Sequence, residues 1–131
     1  MSELYTYDRF APGTMLGEWE GTIDAALQAK WDRLFGTRTT DASARTIGLT
    51  VACMMRAYLG IVSPRPPGNI HARQTLSIQG LPQDGEIVRT QVWCRDKELR
   101  KDRRYIYLEA IGTGNGGRPL YSGQMSLIWA A

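Results

Sequence analysis

Two side chains in the sequence are suited to proton-transfer chemistry, the carboxylate of Asp41 and the imidazole of His71. Asp41 lies in the polar stretch GTRTTDASARTIG at 36–48, and His71 is the only histidine. General acid–base catalysis needs a base with a partner group within hydrogen-bond reach. No histidine lies near Asp41 in sequence, so Asp41 is either a displaced catalytic carboxylate or, like Ser43, an N-cap of the helix that follows. His71 is either a base or a structural hydrogen-bonding group.

The sequence has no pattern typical of a metal site, a disulfide or a membrane protein. Its two cysteines, Cys53 and Cys94, are not in a CxxC arrangement, and one histidine cannot complete a zinc site with them. Both cysteines occur in apolar segments, so we expect buried, reduced thiols. The first ten residues resemble no signal peptide, and no apolar run reaches about 18 residues. We therefore predict a cytoplasmic protein with no metal and no resident cofactor.

A basic run, RDKELRKDRR at 95–104, combines six basic with three acidic residues. One interpretation is a solvent-exposed hairpin tip with internal ion pairs. The alternative is a group of charges that binds phosphates. Nucleic-acid binding is disfavoured, because the aromatic residues do not interleave with the basic ones and the net charge is only +3.

The first half of the chain predicts two helices. Residues 17–22 indicate a short strand, and 23–35 have the apolar spacing of an amphipathic helix. Residues 44–59 are apolar on nearly every side, which predicts a buried helix that ends at Gly60. The sequence SPRPPGN at 63–69 then forces an extended crossing, because adjacent prolines cannot continue a helix.

From residue 70 the apolar period changes from 3.6 to 2, which predicts strands. The four predicted strands are 70–80, 86–96, 103–112 and 118–130. The last two connections have the composition of hairpin turns, so those neighbours should be antiparallel. A buried helix followed by four long strands predicts one α+β domain over 1–131, in which an antiparallel sheet wraps around the central helix.

This order of elements resembles the hot dog fold, and within it the MaoC-like hydratases. The resemblance covers about residues 15–130. In that family a strand after the central helix ends in a Pro-x-x-Gly-Asp turn. The matching segment here is 82–86, with Gly85 kept and Glu86 in place of the aspartate. The family's glycines before a final apolar run are matched by residues 116–117.

The hydratase signature of that family, Asp-x-Asn-Pro-x-His, is missing. If Gly36 matches the glycine before the signature, Thr37 replaces its aspartate and Ala42 replaces its histidine. Neither replacement titrates near neutral pH, so the acid–base pair that activates water is absent. We expect no standard hydration of an enoyl thioester.

The resemblance implies an acyl thioester, of coenzyme A or of a carrier protein, as the ligand. Its carbonyl would accept the backbone amides of Ile47 and Gly48 near the positive end of the central helix. The phosphates of coenzyme A would meet Arg45 and Arg73, with residues 95–104 as the alternative.

Three functional classes remain open. The first is a divergent enzyme, either an acyl-CoA hydratase or dehydratase or a thioesterase, with Asp41 and His71 as candidate catalytic residues. The second is a non-catalytic thioester binder, or the silent subunit of a hetero-oligomeric hydratase. The third is a structural or regulatory hot dog protein without a thioester ligand.

The strand pattern also predicts contact between subunits. By strict alternation His71 shares a polar face with Arg73, Thr75 and Ser77, which is expected to meet solvent or another subunit. An isolated sheet of this kind leaves an unpaired edge and exposed aromatic strands. We therefore expect at least a homodimer.

Overall fold

The structure is a computed structural model that describes residues 3–22, 42–80, 82–83 and 85–131. The predicted helix at 23–35 and the residue Asp41 lie outside the described residues. The elements are β1 (Thr14–Thr22), α1 (Ala42–Ile61), β2 (Ile70–Ile78), β3 (Ile87–Arg100), β4 (Arg103–Thr113) and β5 (Pro119–Trp129). The strands form one antiparallel sheet in the order β1-β3-β4-β5-β2, which confirms the predicted α+β architecture.

The sheet has a helix side, against which α1 packs, and an outer side. Strand β4 alternates between them, with Ile106, Leu108 and Ala110 fully buried and Tyr107 and Glu109 half-buried. The β3–β4 hairpin is longer than predicted, because residues 97–100 continue β3. The turn itself consists of two residues with positive φ, Lys101 and Asp102, as a tight primed hairpin turn requires.

Helix α1 is buried along one stripe in the single chain. The buried residues recur at helical spacing: Thr50, Cys53, Met54, Ala57 and Tyr58. The opposite side is half-buried, apart from Arg56, Leu59 and Gly60, which are exposed. The predicted burial of the central helix is therefore confirmed for the described side chains. A sequence that is apolar on nearly every side does not reveal which stripe meets the sheet.

The direction of α1 across the sheet follows from two glycines. Gly123 of β5 has no room for a side chain, because the sulfur of Met54 occupies that space. Ile61, two helical turns after Met54, likewise occupies the space where a side chain of Gly17 in β1 would lie. Along the helix, α1 therefore contacts β5 at Met54 and β1 at Ile61.

Residues 3–13 close one end of the sheet, a contact that the sequence analysis did not predict. Tyr5 and Phe10 are buried, and the Phe10 ring meets the edge of the Trp129 ring at 5.1 Å. The Trp129 indole donates a 2.6 Å hydrogen bond to the carbonyl of Tyr5, whose amide bonds the carbonyl of Pro64 at 2.7 Å. The segment thus ties the crossing at 63–69 to the end of β5.

Both cysteines are buried and unpaired, as predicted. Among the described helical residues, none belongs to a helix long and apolar enough to cross a bilayer.

Candidate functional site

The start of α1 is the first part of the candidate site. The helix begins at Ala42, so its free backbone amides are those of the first turn, at Ala42, Ser43 and Ala44. The amides of Ile47 and Gly48 lie further inside and bond to carbonyls four residues earlier. The amides without intrahelical partners thus precede Ile47 and Gly48 by about one turn, and the role of Ile47 and Gly48 as oxyanion donors stays a prediction. The helix starts two residues before the predicted position, because the small residues there give no apolar signal. Ser43 lies inside the helix and is therefore not its N-cap.

Gly48 lies on the side of α1 that faces away from the sheet. It is half-buried, and Ala52, Met55 and Leu59 continue the same side at helical spacing. We call these four residues the open helix face. Leu59 is 43% exposed, and the other three are half-buried, with Met55 packed against the core. Arg45, in the first turns, is described in its backbone only.

His71 faces the helix side of the sheet, contrary to the prediction from alternation. Strand β2 has a bulge at Ala72, because His71 pairs with Leu127 while Arg73 pairs with the adjacent Ser126. Directly paired residues share a face, and Leu127 is buried on the helix side. The His71 ring accordingly meets the Tyr58 ring edge-on at 6.5 Å.

His71 does not lie near the start of its own helix. It contacts Tyr58, and the helix rises about 1.5 Å per residue, so roughly 24 Å of helix separates Tyr58 from Ala42. Asp41 directly precedes Ala42 in sequence but lies outside the described residues. Within one chain the structure therefore separates His71 from the free amides of α1.

Arg73 points away from the helix. Its partner Ser126 belongs to the outer side, as does Gln124, which hydrogen bonds to Thr75 next along β2. An arginine on this face cannot meet a ligand that lies against α1 of the same chain. The hairpin tip of the basic run at 95–104 is also far from α1. Along β3, Arg100 lies roughly 33 Å from Thr90, which is buried on the helix side of the sheet.

The basic run has the contacts of a solvent-exposed hairpin. Arg95 forms an ion pair with Glu109 at 2.6 Å, and the Tyr107 hydroxyl donates to Glu98 at 2.7 Å. The Lys97 ammonium donates to the carbonyl of Tyr7 at 3.0 Å. These contacts favour the first of the two interpretations of the run.

Glu86 is a buried carboxylate that the sequence analysis noticed only as a replacement in a turn. It accepts hydrogen bonds from the amides of Gln83 and Asn115, both at 2.9 Å, and from the guanidinium of Arg118. These donors, the backbone amides first, hold the pKa of Glu86 below its usual range. Gly114 leaves the space that the carboxylate occupies. Glu86 therefore stays ionised and joins two turns, so it has a structural role and no proton to donate as a general acid at neutral pH.

A second polar group lies beneath the middle of α1, beside Cys53. The Tyr121 ring lies over Gly112, which has no side chain, and its hydroxyl reaches Thr90 two strands away at 2.5 Å. Burial raises the pKa of Tyr121, and burial likewise raises the pKa of the Cys53 thiol beside it. Both groups are neutral at physiological pH, so Cys53 is not an activated nucleophile. The alternating pattern placed Thr90 and Tyr121 in strands but gave no signal that they meet.

No three ligand-type side chains converge in the described part of the chain, so no candidate metal centre is found there. The described features that could take part in a binding site are the first-turn amides at Ala42–Ala44, the open helix face and strand β2, which pairs with β5 and has no other described partner.

Neither a protein-family model nor a curated protein matches this sequence. Solved structures do match. R-hydratase PhaJ1 from Pseudomonas aeruginosa superposes with a TM-score of 0.74 at 16% identity, over 96% of this chain and 86% of that chain. A MaoC-like dehydratase from Rhodospirillum rubrum gives 0.71 at 16% identity, over 95% and 96% of the two chains.

A third similar structure is the HadBC complex, a 3R-hydroxyacyl-ACP dehydratase from Mycobacterium tuberculosis. It gives a TM-score of 0.64 at 10% identity, over 86% of this chain and 94% of that chain. The structural neighbours are thus the hydratases that the order of elements resembled. At 10–16% identity the likeness shows the fold alone, and this chain has the hot dog fold of MaoC-like and R-hydratase structures.

Proposed function

We propose that the protein binds an acyl thioester, with the carbonyl at the start of α1. The observation that carries the proposal is that the first-turn amides at Ala42–Ala44, which have no partners within the helix, and the half-buried apolar residues of the open helix face belong to one helix. The hydratase and dehydratase structures of the same fold support the choice of thioester.

The helix start suits a thioester carbonyl for electrostatic reasons. The first-turn amides carry the partial positive charge of the helix dipole and have no partners within the helix. A carbonyl oxygen placed there is polarised in the way that acyl-transfer and hydration reactions require. The acyl chain would then extend along the open helix face past Gly48 and Ala52.

Binding without standard hydration is the expected activity of the isolated protein. The positions that match the family's catalytic pair are Thr37 and Ala42, and the described buried groups Glu86, Cys53 and Tyr121 are unsuited to proton transfer. Purified protein should therefore leave crotonyl-CoA unhydrated, as followed by the ultraviolet absorbance of the enoyl group. Turnover above background would show that acid–base groups lie elsewhere.

A second candidate function is the silent subunit of a hetero-oligomeric hydratase. The missing signature at 37–42 favours it, and the 3R-hydroxyacyl-ACP dehydratase among the similar structures is a complex. In that case hydration should appear when a second hot dog chain with an intact signature is added. The structural or regulatory alternative predicts no thioester binding in either form.

Calorimetric titration tests the main proposal directly. The probes are crotonyl-CoA, octanoyl-CoA and free coenzyme A, and the variant Gly48→Val places a branched side chain on the acyl path. Gly60→Val is the matched control, because Gly60 is exposed in the same helix and an added Cβ would meet only Trp19 at an ordinary 3.8 Å. Wild type and Gly60→Val should bind acyl-CoA, and Gly48→Val should not. Equal binding by all three would place the ligand elsewhere.

A further inference from the structure

The β3–β4 hairpin projects beyond the rest of the sheet. Thr14 begins β1 and pairs with Cys94, so the last six residues of β3 run roughly 20 Å past the end of β1. On the other side, Trp129 ends β5 opposite Arg104. We call residues 99–104 the hairpin tip. Among the described residues, no third strand lies beside positions 100–103.

The internal contacts of the basic run belong mainly to its base. Arg95 pairs with Glu109, and the Lys97 ammonium donates to the carbonyl of Tyr7 and lies over the Tyr7 ring. In contrast, every residue from 99 to 103 is exposed. The charges of the hairpin tip are therefore presented to solvent, whereas those of the base are used within the chain.

The hairpin tip also places like charges opposite each other. Arg100 pairs directly with Arg103 across the hairpin, and facing like charges destabilise paired strands. Glu98 offsets part of this repulsion, because its carboxylate lies 3.7 Å from the Arg100 guanidinium. Lys101 adds a positive charge in the turn, and Asp102 fits the turn because aspartate tolerates its positive φ of 64°. An anion held between the arginines would relieve the repulsion.

Leu99 gives the hairpin tip an apolar side chain. It is 68% exposed, more than any other exposed large hydrophobic residue in the described chain. Leu99 pairs with Arg104, so the two side chains share a face, and Lys101 and Asp102 line the hollow beside them. The Arg104 guanidinium donates to the carbonyl of Ala130 at 3.3 Å, and a guanidinium has five N–H donors in all. The hairpin tip thus surrounds one exposed apolar side chain with cations.

From this arrangement we infer that the hairpin tip binds the surface of an anionic phospholipid bilayer. Headgroup phosphates lie between Arg100 and Arg103, and Leu99 enters the boundary between headgroups and acyl chains. A bilayer suits both parts of the tip, because it presents negative charge above an apolar layer. A nucleic acid suits the cations only, since its backbone offers no apolar layer to cover Leu99. The contact is peripheral, and it is independent of the thioester proposal because the tip is far from α1.

Vesicle flotation of the whole protein tests the binding. The probes are vesicles of phosphatidylcholine alone and of phosphatidylcholine mixed with phosphatidylglycerol. Wild type should float only with the anionic vesicles, and the bound fraction should fall several-fold as salt rises from about 0.1 M to about 1 M.

Arg103→Gln should weaken this binding about five-fold, the factor that one basic side chain contributes at such a surface. Arg89→Gln is the matched control, because Arg89 is 59% exposed in the same hairpin but far from its tip. The control should bind like wild type. No flotation of wild type, or an equal loss in both variants, overturns the inference.

A fluorescent label tests whether Leu99 enters the bilayer. Cys53 and Cys94 are buried, so an environment-sensitive dye on Leu99→Cys should react at that position, and wild type should take up no dye. Emission should shift to the blue with anionic vesicles, whereas the same dye on Glu18→Cys, exposed on β1, should not shift. Binding without a shift at position 99 would refute insertion. An equal shift with an RNA oligonucleotide or polyglutamate would identify another class of partner and overturn the bilayer.

Discussion

The closed end of the sheet, formed by Tyr5, Phe10 and Trp129, differs from the open edge, strand β2, in how its polar groups are satisfied. At the closed end, aromatic rings are buried, the Trp129 indole donates to the Tyr5 carbonyl and the Tyr5 amide donates to the Pro64 carbonyl. At the open edge, one side of the strand has no partner among the described residues. The closed end thus maintains the fold of the single chain, whereas the open edge is where we expect a second copy to pair.

Removal of Trp129 should have the largest effect. Trp129→Ala deletes a fully buried ring and the hydrogen bond to Tyr5, and such large-to-small changes cost about 3–5 kcal/mol. Leu99→Ala is the control, because Leu99 is 68% exposed and should change stability by less than about 0.5 kcal/mol. Urea unfolding measures both, and a small cost for Trp129→Ala would mean that the closed end is not essential.

A methyl group at Gly112 should destabilise the interior. The added Cβ would overlap the Tyr121 ring, and overpacking of this kind costs about 1–3 kcal/mol. Gly60→Ala makes the same chemical change at an exposed helical site and should instead stabilise by up to about 1 kcal/mol. The thermal unfolding temperatures of the two variants should thus shift in opposite directions. Equal shifts would contradict the arrangement in which Tyr121 lies over Gly112 and reaches Thr90.

A like-charge pair should weaken the open edge without affecting the closed end. If two copies pair along β2, Gln74→Glu adds a carboxylate from each copy to that edge, and like charges that face each other across paired strands cost up to about 1 kcal/mol per pair. Gln124→Glu on the outer side of β5 is the control. Sedimentation should show a dimer for wild type and the control, and a several-fold weaker dimer for Gln74→Glu. A monomeric wild type at micromolar concentration would refute the dimer.

The smallest expected effect concerns the stability of the fold at acidic pH. The pKa of Glu86 is lowered in the folded state, so the unfolded state binds its proton more readily. The ionised carboxylate therefore stabilises the fold above the unfolded pKa of about 4.3, and this contribution is lost as pH falls through the lower folded pKa. The unfolding free energy of Glu86→Gln should depend less on pH between about 5 and 3 than that of wild type. Glu18→Gln, at an exposed site, should retain the wild-type dependence.

The sequence predicted the order of the elements and the hot dog fold, because period-2 apolarity and hairpin turns are local signals. It did not predict the closed end, since Tyr5 and Phe10 precede every periodic segment and meet Trp129 only in three dimensions. Those contacts depend on packing between residues far apart in sequence.

The candidate site was less predictable than the fold, for two reasons. A one-residue bulge at Ala72 reverses the face of His71, and no residue type in IHARQ signals it. The helix start at Ala42 is also decided by small residues whose pattern carries little information. The precise position of a site therefore depends on shifts of one or two residues that periodicity does not resolve.

The hydrogen bond between Trp129 and Tyr5 has a consequence for how the chain folds. It joins residues 124 positions apart, and β2 pairs with β5, which comes last along the chain among the described strands. Contacts that span so much of the chain slow folding, because the connecting loop must be ordered before they form. During synthesis, β2 and the aromatic residues near position 5 lack their partners until β5 has been made. Until then they are candidates for chaperone binding or aggregation. The native topology thus defers closure of the core until β5 has emerged.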